Sequence, residues 1–159
     1  ETSVMKGNCI RMQHSSPQHS SPQHSSSLCL LLVEENTDKR SALQFLLSCS
    51  GYTVLIATSE DAAVACVSRA RVHLVLIGED FLTTYGYTLC AWLRRFFSLP
   101  IVIFAPLRHP DDLTTAFRLG VDDYIIKPIH HTLLLARLAA VLRRRDGGRP
   151  HPRLMNIKT

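Results

Sequence analysis

Three short runs carry side chains whose types and spacing could do chemistry: Glu34 with Glu35, Glu79 with Asp80, and Lys127. Each follows an apolar run, LCLLLV (28–33), VHLVLIG (72–78) and DYII (123–126) respectively. Carboxylates brought opposite a lysine can hold a divalent cation, accept a phosphoryl group, or form ion pairs. The central run, VHLVLIGED (72–80), organises the rest. It is short and apolar, so it reads as a strand buried on both faces, and in open α/β sheets ligands bind at the carboxyl ends of such strands. Here that end is Gly78, which has no side chain, while the acids stand one and two residues beyond it. The position the fold would use for a nucleophile is empty. His14, His19 and His24 recur in HSSPQ repeats; repetition of the segment accounts for their spacing, and no metal site is read from them.

The elements that must position these groups alternate along the chain. LCLLLV (28–33) predicts a first strand. Asn36 or Thr37 caps a helix whose Leu43, Leu46 and Leu47 share a face and which Gly51 stops. TVLIAT (53–58) is a second strand, and Ser59 caps a helix running to about Ala70 with Glu60 and Asp61 well placed against its dipole. The strand at 72–77 leads through a loop to a helix near 87–97. IVIFA (101–105) is a fourth strand, Asp111 and Asp112 open a helix ending at Gly120, DYIIK (123–127) is a fifth strand, and 130–145 is a long final helix. Strands alternating with helices of this length imply right-handed βαβ units and a parallel sheet covered on both faces. The expected fold is therefore α/β, a flavodoxin-like, doubly wound five-stranded parallel sheet in the order 2-1-3-4-5 with five helices. Glu34, Glu35, Gly78, Ala105 and Lys127 would then face one crevice.

Composition bounds the rest. A chain of 159 residues with 46% hydrophobic content holds one domain of ordinary size. No apolar run approaches the length of a membrane span and no signal-peptide pattern is present, which places the expectation in the cytoplasm. Five cysteines without a C-x-x-C pair argue against a disulfide framework or a zinc site, and for free thiols. The net charge of +5 suggests nucleic acid until it is divided: residues 28–142 carry net −1 and residues 143–159 net +5. The basicity belongs to the C-terminal stretch 143–159, whose run DGGRPHPRLMNIKT (146–159) reads as a flexible linker, so direct DNA contact by this chain is not expected. Residues 1–27 form a low-complexity arm too poor in apolar groups to offset its ordering entropy. The expected organisation is thus an arm over 1–27, a domain over 28–144 and a basic tail over 145–159.

With these residues in place, the chain resembles the receiver domains of bacterial two-component response regulators across 28–144. The run GVDDYIIKP (120–128), followed by LLLARLAAVLRR (133–144), resembles the receivers of winged-helix transcription regulators in particular. The resemblance implies that an acidic pair after the first strand holds Mg²⁺, an Asp ending the third strand takes the phosphoryl group, and a Thr or Ser ending the fourth contacts it. Lys127 stands at the phosphate-contacting lysine and Tyr124 at the switch aromatic. Three positions depart: Glu34 and Glu35 form the acidic pair, where the family has mostly Asp at the second position; Gly78 stands at the acceptor; Ala105 replaces the hydroxyl residue.

Each departure has a chemical consequence. Glycine offers no carboxylate for an acyl phosphate. Without acceptor and phosphate, Glu34 and Glu35 are only weak Mg²⁺ candidates, so no cofactor is expected. Ala105 removes the contact through which a phosphate would bias Tyr124. Lys127 is expected to pair with Glu34 or Glu35. Asp80 is the alternative acceptor, but along a continuing strand it lies ~6.6 Å beyond Gly78, too far for Lys127 to serve it.

On the final helix, Leu134, Leu135, Leu138 and Leu142 can face the sheet, leaving Leu133, Arg137, Ala140 and Arg144 as a second stripe. The resemblance implies a symmetric dimer through the fourth predicted helix, the fifth strand and the final helix, with Asp122, Asp123 and Arg137 similar to members of its charged pairs. Leu133 stands where that family usually has Glu, which makes the contact more apolar. A flavin or nucleotide site is disfavoured, because EENTDK (34–39) has no glycine-rich phosphate cradle. The sequence thus describes a non-enzymatic, phosphorylation-independent pseudo-receiver, a signalling and dimerisation module acting in transcription control through an output domain or partner. The alternative is a phospho-accepting receiver that uses Asp80 in a phosphorelay.

Overall fold

The computed structural model describes residues 26–146. The repeats, the three arm histidines and the basic tail beyond Asp146 lie outside the described residues.

Five apolar runs form the strands β1 (Cys29–Val33), β2 (Thr53–Ala57), β3 (Leu74–Gly78), β4 (Ile101–Ala105) and β5 (Asp123–Ile126). They pair in parallel in the order β2-β1-β3-β4-β5, with Leu31 beside both Leu55 and Val75, and Gly78 beside Phe104. The helices are α1 (Thr37–Cys49), α2 (Glu60–Arg69), α3 (Glu79–Tyr85), α4 (Thr88–Phe96), α5 (Asp112–Arg118) and α6 (His131–Asp146). The order of the sheet is as expected, whereas the helices number six.

The additional helix is α3, where a loop was expected. Glu79 and Asp80 occupy its first turn, the end at which a helix dipole favours acids. Phe81 anchors it, fully buried, and Gly86 at φ +64° ends it. The other boundaries follow side chains that the sequence displays. Asn36 accepts from the Lys39 amide and Ser59 from the Ala62 amide, each satisfying an otherwise orphaned helix donor.

The pleat divides the strand side chains between two apolar layers. One, built on Leu31, Val33, Val75, Ile77, Ile101 and Ile103, packs against α2, α3, α4 and α5. The other, built on Leu30, Leu32, Leu74, Leu76 and Val102, packs against α1 and α6 through Leu43, Leu47, Leu134, Leu138 and Leu142. Leu135 packs there only in part. With both faces covered, the carboxyl edge of the sheet is where polar groups gather. Cys49 and Cys90 are free thiols. Among the described residues, no helix is long and apolar enough to cross a membrane.

Candidate functional site

The crevice at the carboxyl ends of β1, β3, β4 and β5 brings together Glu34, Gly78, Ala105, Tyr124 and Lys127, but Glu35 turns away from it and the partners differ from the expected ones. Glu34, just after β1, is fully buried. Its Oε1 accepts from the Asn36 amide at 3.0 Å, while Oε2 is enclosed without a hydrogen-bond partner. That carboxylate lies over Gly78: a Cβ on residue 78 would stand 2.0 Å from Glu34 Oε2 and 2.7 Å from its Cδ. The glycine and the glutamate are therefore complementary, the side chain of one filling the space the other leaves. Glu35 points elsewhere. It is exposed, and its Oε2 accepts from the Thr84 hydroxyl at 2.6 Å.

The two carboxylates after β1 thus diverge, one enclosed over Gly78 and one turned out to α3. Mg²⁺ needs several oxygens converging at near-octahedral geometry, and the pair does not fit it. Among the described residues no three His, Cys, Asp or Glu side chains are arranged to hold a metal ion.

Lys127, at the end of β5, does not pair with Glu34 or Glu35. Its ammonium lies 3.5 Å from Glu79 Oε2 and 4.6 Å from the Phe104 ring centroid. Glu79 also takes Lys39 from α1 at 3.2 Å and Arg108 from the loop after β4 at 3.0 Å. Partial burial works against the Glu79 charge, but hydrogen bonds from Lys39 and Arg108, together with the charge of Lys127, outweigh it and hold its carboxyl below the ordinary value. Asp80 turns to Lys39, with Oδ2 2.7 Å from Nζ, a close ion pair that lacks hydrogen-bond geometry. Asp80 is the largest influence raising the Lys39 pKa.

The expected Glu34 or Glu35 partnership failed because β3 ends at Gly78. With α3 starting at once, Glu79 is rotated over the crevice instead of alternating away from it. Lys39 and Arg108 are the site residues that sequence reasoning missed, and Glu79, though singled out, was not expected to be the partner of Lys127. A usable signal was present in EDFLTTY (79–85), where two acids open a segment anchored by Phe81, as helix starts do.

On the far side of the crevice, Ala105 is buried and its carbonyl accepts from the Lys127 amide at 3.2 Å. Tyr124 is turned inward, 3% exposed, with its hydroxyl donating to the Pro106 carbonyl at 3.2 Å. Burial, with Asp112 adding to it, raises the Tyr124 phenol above its ordinary value, and burial drives that of Tyr87 up to about 12. Both rings are neutral near pH 7. A cavity of about 290 Å³ opens between them, lined in part by Glu79, Ala105, Arg108 and Asp112.

The residues expected on the dimer face divide into two groups. Asp122 works inside the molecule: its Oδ2 accepts from Arg94 and from the Ile101 amide, each at 2.7 Å, joining α4 to β4. Asp123 pairs with Arg137 of α6, at 2.9 Å from Nε. Leu133 is 53% exposed, Arg144 is exposed and Ala140 is half-buried.

Comparison with known proteins agrees with this architecture. The model of the response regulator receiver domain family matches residues 30–139. The chain is 32% identical to the "Probable transcriptional regulator ycf27" of Porphyridium aerugineum over 127 residues, covering 80% of this chain and 53% of that protein. It is 31% identical to the "Transcriptional regulatory protein AfsQ1" of Streptomyces coelicolor, covering 72% of this chain and 51% of that one. The chain thus spans about half the length of these relatives. A two-component response regulator from Clostridium difficile superposes with a TM-score of 0.69 at 25% identity, covering 76% of this chain and 99% of that one. A sheet in the order 2-1-3-4-5, a lysine closing its last strand and a family match across nearly the whole folded region place this chain in the response regulator receiver domain family.

Proposed function

We propose that this receiver works without phosphorylation, as a signalling and dimerisation module that acts on transcription through an output domain or a partner protein. The observation that carries the reading is the interlock of Gly78 with Glu34. Position 78 has no carboxylate to phosphorylate, and the space its Cβ would need holds the Glu34 carboxylate. The engagement of Lys127 by Glu79 supports it, because the lysine already has an anionic partner from its own chain. Asp80, the alternative acceptor, is paired with Lys39.

The purified chain, treated with acetyl phosphate or beryllofluoride and Mg²⁺, is expected to show no phosphoryl adduct by intact mass and no shift of its amide resonances. An adduct that disappears in Asp80→Asn would replace this reading with that of a phospho-accepting receiver.

The dimer surface proposed is formed by α5, β5 and α6, where Phe117, Ile126 and Leu133 are exposed apolar groups beside the Asp123–Arg137 pair. Asp122 is left out, since it is committed to Arg94 and the Ile101 amide. Placing a charge at the centre of that face by Leu133→Arg is expected to shift the sedimentation equilibrium toward monomer by about tenfold in dissociation constant. An unchanged distribution would remove this face from the reading.

A further inference from the structure

Positive charge at the crevice mouth comes from three segments far apart in sequence. Lys39 belongs to the first turn of α1, Arg108 to the loop after β4, and Lys127 to the end of β5. All three converge on Glu79, whose two oxygens are divided between them: Arg108 takes Oε1, while Lys39 and Lys127 take Oε2. Lys39 has a second partner in Asp80. Among the described residues, no second carboxylate pairs with Arg108 or Lys127.

Removing the charge of Glu79 therefore takes from Arg108 and Lys127 the carboxylate that ion-pairs with both, next to a third cation. Uncompensated charges at such spacing attract an anion strongly, and a guanidinium with flanking ammonium groups suits an oxyanion having several acceptor oxygens. Glu79 also has room to leave. The cavity beside it is also lined by Arg108 and by Ala105, whose side chain is only a methyl group. A foreign anion would settle in the place of Glu79 and not deeper, because Asp112 lines the same cavity, its carboxylate fixed by the Arg108 and His109 amides at 2.8 and 2.9 Å.

We propose that Lys39, Arg108 and Lys127 form an oxyanion site for which the chain supplies its own occupant, Glu79. The resident carboxylate ties α1, the loop after β4 and the end of β5 together, and it keeps free tetrahedral oxyanions of the phosphate class out. The proposal rests on the phosphate-independent reading only in explaining why no covalently held phosphate is needed to join these segments.

The test is a titration of the full chain with inorganic phosphate, at ionic strength held constant with sodium chloride and without Mg²⁺ or any phosphoryl donor, read by amide and side-chain NMR. In the native chain, the Arg108 and Lys127 signals are expected to respond to phosphate no more than to chloride. In Glu79→Gln and Glu79→Ala they are expected to saturate, with an apparent affinity at least about tenfold higher, and adding Lys127→Ala should abolish the response. Saturable binding of equal strength in the native chain would show that Glu79 does not guard the site. Absence of binding in both folded variants would show that the three cations do not form one. Neither result involves a covalent adduct, so failure here is distinct from failure of the phosphate-independent reading.

Discussion

Two glutamates of one crevice, Glu34 and Glu79, occupy opposite electrostatic circumstances. Glu34 is completely buried, meets one backbone amide and keeps an oxygen without a hydrogen bond. Glu79 remains partly open and gathers three cations. The difference teaches that the two side chains hold the site by different means. Glu34 acts through volume, filling the space over Gly78, whereas Glu79 acts through charge, joining α1 to the ends of the paired strands β4 and β5. A substitution that preserves shape should therefore spare the first and damage the second, while one that adds bulk at position 78 should do the reverse.

The largest effect expected follows from the steric half of this contrast. Gly78→Ala places a methyl group where the Glu34 carboxylate lies, and the overpacking is expected to cost about 2 kcal/mol in urea denaturation. In a Glu34→Ala background the same change should cost less than about 0.5 kcal/mol, a coupling well above the additivity error of distant sites. Additive effects would mean that the two positions do not share the space.

The electrostatic half predicts a smaller change with a pH signature. Glu79→Gln keeps the shape and is expected to cost about 1 kcal/mol at pH 7, the upper range for partly exposed ion pairs. Because the folded-state pKa of Glu79 is lowered from 4.5, its contribution is fully present above that value and is lost as pH falls through the lowered one. The stability gap between native chain and Glu79→Gln should thus be constant near neutrality and close as the solution is acidified below about 4.5. A gap that widened on acidification would contradict the assigned ion pairs.

The smallest effect is expected at Glu35, which shares the sequence neighbourhood of Glu34 but neither its burial nor the cations of Glu79. Exposed, with its carboxylate accepting from the Thr84 hydroxyl, it should lose less than about 0.5 kcal/mol on Glu35→Ala. A cost approaching that at Glu79 would erase the distinction between the adjacent acids.

Much of this arrangement was legible in the residue order. Leu30 to Val33, Val75 to Ile77 and Ile101 to Ile103 announce strands covered on both faces, because only a doubly covered parallel sheet uses uninterrupted apolar runs with helices between them. Asn36 and Ser59 marked helix starts through side chains that bond their own third-following amide, which is local chemistry. The absence of a carboxylate at Gly78 and of a hydroxyl at Ala105 could likewise be read directly, since an absent functional group needs no geometry. The pairing of Lys127 could not, and neither could the separate duties of Asp122 and Asp123.

The sequence by itself determined the layered α/β architecture, the carboxyl-edge crevice and the lack of an acceptor at position 78, because these follow from periodicity, capping and residue type. Tertiary structure alone decided that Glu34 covers Gly78, that Glu79 gathers Lys39, Arg108 and Lys127, and that Asp122 serves α4 while Asp123 meets Arg137. The physical reason is the turn of the chain at Gly78. A strand continued by one residue would send Glu79 away from the crevice, whereas a helix begun there, rising only ~1.5 Å per residue, brings its carboxylate over the lysine.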